Sequence, residues 1–172
     1  MLIHEAALIQ TLIDQINPKS ILDCGSGSRA DRTIIQPHIG AIFAGRGIDV
    51  VWTDLREIPG VIQCDYTKPE TLLDLPRCEL VTCCSLLEHV EDISTALQAV
   101  GSLADDWLIV SVPWKFPKHD CPIDNGWRPS PNDLGGELKA LGFRVVEQYA
   151  SGPEKFDVVP DASASVVLAR RE

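Results

Sequence analysis

The sequence predicts an α/β fold, a doubly wound and mostly parallel sheet of seven strands with helices on both faces. Three observations lead to it. Short runs nearly continuous in apolar residues suit strands buried on both faces. Stretches of helical spacing lie between them, and the alternation implies parallel pairing through right-handed crossovers. A chain of 172 residues, 45% hydrophobic and 23% charged, is long enough for one well-buried core and too short for two ordinary domains. Residues 1–172 are therefore read as one domain.

Leu2, Ala6, Ile9, Leu12, Ile13 and Ile16 recur at helical spacing until Asn17-Pro18 stops the pattern, because proline cannot continue a helix. Residues 1–17 are thus an amino-terminal helix. Strand-like runs follow at 20–24, 48–52, 61–64, 80–84, 107–112, 144–149 and 164–169. Among the connections, Thr67 and Glu70 have the spacing of a capping box and Ser130-Pro131-Asn132-Asp133 that of a second. Ile93, Ala96, Leu97, Val100 and Leu103 form an apolar stripe. Pro37 interrupts the helix expected after the first strand, and about eight residues between the second and third strands are too few for a full helix. The Pro-containing stretches 113–131 and 151–161 read as long surface loops, where function often resides.

A formal net charge of -10 opposes an extended nucleic-acid surface, since such binding rests on clustered Lys and Arg releasing counterions. The amino terminus lacks a basic region followed by a long apolar stretch, and no window is long enough to span a bilayer, so a cytoplasmic protein without membrane contact is expected. Cys24, Cys64, Cys78, Cys83, Cys84 and Cys121 include no CxxC pair, which argues against a zinc knuckle or a disulfide scaffold.

The strongest local feature is Ile21-Leu22-Asp23-Cys24-Gly25-Ser26-Gly27, a buried strand emptying into a turn whose glycines let backbone approach a ligand. Gly25, Gly27 and Ala30 alone also satisfy the GxGxx[G/A] fingerprint of NAD-binding folds. What adds weight is a pair of acids at later strand ends, Asp54 and Asp65. In a doubly wound sheet both border the crevice above the glycine turn. A carboxylate there can accept hydrogen bonds from a ribose diol or an exocyclic amine.

With these motifs the chain resembles the class I S-adenosylmethionine-dependent methyltransferases over nearly its whole length. Residues 21–27 look like their first motif, Trp52-Thr53-Asp54-Leu55 the second and Gln63-Cys64-Asp65-Tyr66 the third. The fourth is the segment 80–90, whose Leu87-Glu88-His89-Val90 ending is common in small-molecule methyltransferases. The resemblance implies a Rossmann-like sheet with the last strand antiparallel and S-adenosylmethionine as cofactor. It would place the ribose on Asp54, the adenine amine on Asp65, and the methionine moiety on Asp23 with the Gly25 and Gly27 backbone. Tyr66 and Ser85, members of the third and fourth motifs, join this cofactor-binding set. Arg29 stands where the usual third glycine is expected.

For catalysis the resemblance points to His89, whose residue type suits proton removal near neutral pH. Related ubiquinone-pathway enzymes bind a metal through a Glu three residues before the motif's Glu; Ser85 holds that position here, so no metal is expected. The run His119-Asp120-Cys121 is read as a coincidence of ligand types rather than a metal site. The stretch 113–131 is the expected acceptor wall, with Trp114 and Trp127 as stacking surfaces, His119 a second candidate base, and Asp120 and Arg128 as acceptor-binding groups. Absence of an [Asn/Asp]-Pro-Pro-[Tyr/Phe] run argues against methylation of exocyclic amines on DNA bases. The expected function is methyl transfer to oxygen or nitrogen of a small molecule or glycan-linked acceptor. The alternatives are a non-catalytic cofactor-binding subunit of the same fold and an NAD-dependent oxidoreductase.

Overall fold

Apolar residues three and four apart make the first helix, α1 (Ile3–Ile16). Its residues Ala6, Ile9, Leu12 and Ile13 are buried. Asn17 ends it in a left-handed conformation (φ 49) with its N–H returned to Ile13 O at 2.8 Å, the usual device by which a helix satisfies a terminal carbonyl. The computed structural model describes residues 3–27, 46–118, 124–151 and 163–172.

Seven strands follow: β1 (Ser20–Cys24), β2 (Asp49–Asp54), β3 (Ile62–Gln63), β4 (Cys78–Cys84), β5 (Ala104–Trp114), β6 (Phe143–Ala150) and β7 (Ser163–Arg171). Among the described residues, two further α-helices are α2 (Ile93–Leu103) and α3 (Pro131–Ala140). The strands form one sheet in the order β3-β2-β1-β4-β5-β7-β6. β1 pairs in parallel with both β2 and β4, so the direction of winding reverses beside it. Ligands in such sheets bind at the carboxyl ends of the strands flanking that reversal. β7 is antiparallel to both neighbours, β5 and β6.

Strand alternation divides the core into two layers. Ile21, Leu80, Ile109 and Val166 face α1 and pack with Ile9, Leu12 and Ile13. The next residues along, Leu22, Val81, Val110 and Val167, face the other way, toward Leu97, Val100, Leu134 and Leu138 of α2 and α3. Each such leucine or valine stabilises the fold by roughly 1.5–3 kcal/mol relative to exposure. Helices thus cover both faces, as predicted. Among the described residues, no helix is long and apolar enough to cross a membrane.

Three local expectations change. The run 61–64 yields only a two-residue exposed edge strand, since the chain leaves Asp54 with no helix to carry it back along the sheet. Thr67 and Glu70 form no capping box: the segment is a single 3₁₀ turn, Pro69–Leu72, capped by Lys68 without a side-chain bond. The Thr67 hydroxyl is instead spent on Asp65. The predicted loop 113–131 shortens at both ends, with Pro113 and Trp114 in β5 and Pro131 opening α3. There the second box does form, with the Ser130 hydroxyl and Asp133 carboxylate bonding each other's backbone N–H. The helix signal at Pro37 and most of the loop 151–161 lie outside the described residues.

Candidate functional site

Directly above the winding reversal, β1 empties into a turn sewn onto its neighbours. The buried Asp23 carboxylate accepts from the Thr82 hydroxyl of β4 at 2.7 Å. Its carbonyl accepts from Ser26 Oγ at 2.8 Å and Thr53 Oγ1 at 2.9 Å. Ser26 N donates to Thr53 O at 2.8 Å. Gly25 (φ 70) and Gly27 (φ 64) take left-handed conformations, which side chains strain. A methyl group on Gly25 would also lie 3.0 Å from Leu86 Cδ1.

The turn aims Gly27 N at Asp54 Oδ2, 2.9 Å away at the end of β2. Arg56 closes the same carboxylate from the other side, through its backbone N–H and its guanidinium. Burial opposes ionisation of Asp54, but the Arg56 side chain, its N–H and that of Gly27 outweigh it and hold the carboxyl below its usual range. At the end of β3, Asp65 Oδ1 accepts from Thr67 Oγ1 at 2.6 Å and Thr67 N at 3.0 Å, and Lys68 Nζ lies 2.9 Å from Oδ2. Thr67 first, then Lys68, lowers its pKa against a modest burial penalty. The Tyr66 hydroxyl turns inward to Thr53 Oγ1 at 2.6 Å, and burial pushes its pKa up.

These groups wall a cavity of about 350 Å3 lined by Gly25, Asp54, Leu55, Arg56, Cys64, Asp65, Tyr66, Ser85, Leu86, His89 and Val90. That volume lies within the roughly 300–1,000 Å3 of small-molecule sites. Ser85, at the end of β4, has φ 52, and its N–H is fixed to Ser111 O at 3.0 Å. Such a conformation in a non-glycine residue costs of order 1–3 kcal/mol and concentrates at functional sites.

The turn Leu87–His89 carries His89 to the cavity and Glu88 into the interior. Glu88 is 0% exposed, and neither carboxylate oxygen accepts a hydrogen bond among the described residues. Burial raises its pKa to about 7; its own backbone N–H opposes this without reaching hydrogen-bond geometry, buried Glu5 adds to it, and Arg128 counters it. Glu5 itself accepts a hydrogen bond from Ser111 Oγ. Nε2 of His89 lies 3.8 Å from Glu88 Oε1.

A second segment clamps this turn from outside. Asn125 N donates to Glu88 O at 2.8 Å, and Asn125 Nδ2 donates to Leu87 O at 2.8 Å and Val90 O at 2.6 Å. Beside it, Asp124 pairs with Arg128 at 2.6 Å, while the guanidinium also donates to Phe116 O, Pro117 O and Trp127 O.

Of the seven residues assigned to the cofactor from sequence, Gly25, Asp54, Asp65, Tyr66 and Ser85 line the cavity together with His89. Asp23 and Gly27 stand behind it, holding Thr82 and Asp54. The described acceptor candidates do not line this cavity: Trp127 packs against the main core, Arg128 is engaged within its own loop, and Lys115 Nζ sits 4.5 Å from the Trp114 ring centroid. His119 and Asp120, like Arg29, Ala30 and Cys121, lie outside the described residues. Arg56 and Asn125 were not singled out from sequence, and Glu88 was named there only as a member of the Leu87–Val90 motif. An arginine two residues beyond a strand-end acid and an Asp-Asn-Gly turn signal were the visible hints.

No protein-family model matches the chain, and no curated protein is significantly similar to it in sequence. Solved structures are similar in fold. The magnesium protoporphyrin IX methyltransferase of Synechocystis PCC 6803, with S-adenosylmethionine bound, superposes with a TM-score of 0.69 at 16% identity, over 98% of this chain and 78% of that one. The 1,6-didemethyltoxoflavin-N1-methyltransferase of Burkholderia thailandensis, holding 1,6-didemethyltoxoflavin and S-adenosylhomocysteine, gives 0.66 at 19%, over 97% and 76%. An S-adenosylmethionine-dependent methyltransferase of Clostridium acetobutylicum gives 0.67 at 10%, over 98% and 91%. At these identities the likeness is one of fold, and the fold is that of S-adenosylmethionine-dependent methyltransferases.

Proposed function

We propose that this chain transfers a methyl group from S-adenosylmethionine to an oxygen or nitrogen of a small-molecule or glycan-linked acceptor. The observation that carries the proposal is the convergence of two strand-end carboxylates, Asp54 and Asp65, on one cavity with the left-handed Gly25 turn. The donor set fits the cofactor. Asp54 is held ionised and fixed by backbone N–H groups, as an acceptor of ribose hydroxyls must be. Asp65 is likewise held ionised and supplies an acceptor for an amine. Leu55, 60% exposed at the cavity rim, offers apolar surface for a base. Gly25 and Ser85 bring backbone to the other end, for the amino-acid moiety.

When bound, S-adenosylmethionine supplies an electrophilic methyl group on a good leaving group, so positioning and exclusion of water do much of the catalytic work. His89 is the chain's candidate to take a proton from an acceptor that arrives protonated, because it lines the cavity on a turn fixed by Asn125. The segment 113–131 is assigned the acceptor wall, tied through Asn125 to the turn that bears His89.

Calorimetric titration with S-adenosylhomocysteine tests the assignment. Wild type should bind, and Asp54→Ala and Asp65→Ala should each weaken binding by about 1.5–3 kcal/mol, the range for hydrogen bonds to a charged group. Unchanged affinity in both variants, or binding of NAD in preference, would refute it.

A further inference from the structure

The chain's own donors already fill the Asp54 carboxylate. Oδ1 accepts from Arg56 N at 3.0 Å and Arg56 Nε at 2.9 Å. Oδ2 accepts from Gly27 N at 2.9 Å and Arg56 Nη2 at 3.3 Å. An ionised carboxylate offers about four acceptor positions, two on each oxygen. Each oxygen therefore has one backbone partner and one guanidinium partner. Both hydroxyls of a ribose diol can donate to this carboxylate only by taking one position on each oxygen.

The backbone donors are fixed. Gly27 follows Ser26, which is bonded to Thr53 of β2, and Arg56 N lies two residues from the carboxylate itself. The guanidinium is the exposed partner: the Arg56 side chain is 64% exposed, at the rim of the cavity. Exposed ion pairs of this kind are weak and screened by salt. Asp65 provides the contrast, because Thr67 takes both positions on Oδ1 whereas, among the described residues, Lys68 takes one on Oδ2, which leaves a position for an amine.

We infer that Arg56 is an internal competitor for the cofactor's ribose: in the free protein its guanidinium occupies the two acceptor positions on Asp54 that the diol must take, so binding exchanges one for the other. The ligand follows from the methyl-donor reading above, and the competition itself is a property of Asp54 and Arg56. Such an exchange has an unusual dependence on salt. Raising ionic strength weakens the guanidinium–carboxylate pair more than hydrogen bonds from neutral hydroxyls. Wild-type affinity for a ligand of no net charge should therefore rise with salt, and the rise should vanish without Arg56.

The test is calorimetric titration of the full chain with S-adenosylhomocysteine at about 0.02 M and about 0.5 M sodium chloride, using wild type, Arg56→Ala and Arg56→Leu. At low salt both variants should bind about two- to fivefold more tightly than wild type, and the three proteins should converge at high salt, as expected for loss of an exposed ion pair. Equal or weaker binding by both variants at low salt would overturn the inference, as would parallel salt responses in all three proteins. Binding by wild type with no change in the variants would remove the competition alone. No binding by any of the three would remove the methyl-donor reading and the competition together.

Discussion

Replacing Glu88 by Gln should change how stability responds to pH, by an amount that follows from the burial of one carboxyl. Glu88 is fully buried, without a hydrogen bond on either oxygen among the described residues, and its pKa is pushed up to about 7 from an ordinary 4.5. The folded state therefore keeps a proton that the unfolded chain has already released. Stability from this group is fully present below pH 4.5 and is lost as pH rises through about 7. Each pH unit in that window is worth ~1.4 kcal/mol, so the loss amounts to ~3 kcal/mol. Gln fills the same space with its own unmet hydrogen bonds, which shift the level of stability at every pH but do not titrate. Urea unfolding of both proteins at half-unit steps from about pH 5 to pH 8 isolates the effect. Asp54 and Asp65 have lowered values, so their contributions fade only in acid below this window, and they cancel in the difference between the two proteins. The wild-type advantage over Glu88→Gln should shrink by ~2–3 kcal/mol between the ends of the series. A difference that stays flat with pH would refute the raised pKa of this buried carboxyl. In wild type the same titration places a negative charge 3.8 Å from His89 Nε2.

Two further substitutions probe the cavity walls. Gly25→Ala meets both a left-handed backbone and Leu86 Cδ1 at 3.0 Å; it should cost ~1–3 kcal/mol in chemical denaturation and weaken S-adenosylhomocysteine binding, whereas wild-type values for both would show the turn to be misassigned. Asn125→Ala removes the donors on Leu87 O and Val90 O; amide exchange across residues 87–90 should quicken about tenfold while β1 and β4 stay protected, and unchanged exchange would show that the clamp does not hold the turn.

Much of the fold was legible from spacing. The run 20–24 and strand β1 coincide, and the stripe from Ile93 to Leu103 is the buried face of α2, because burial on a sheet or helix imposes a period that the residues must carry. The strand-end acids were legible for the same reason: a carboxylate directly after an apolar run has to emerge at the sheet's edge. Thr67 was misread because two outlets competed for one hydroxyl, and an Asp two residues upstream won over a helix cap. Arg56 went unnoticed because a charged residue in a turn looks solvated until its partner is placed beside it.

The sequence by itself determined the alternation of elements, the left-handed glycine turn and the two acids after β2 and β3, all properties of neighbours along the chain. Tertiary structure alone decided which groups meet across it: Thr82 on Asp23 from 59 residues away, Asn125 bonded to the turn that bears His89, and Glu88 buried within reach of Glu5 from the first helix. It also decided that β7 inserts between β5 and β6. Hydrogen bonds and desolvation act over a few ångströms of space, and distance along the chain says little about which side chains come within that range.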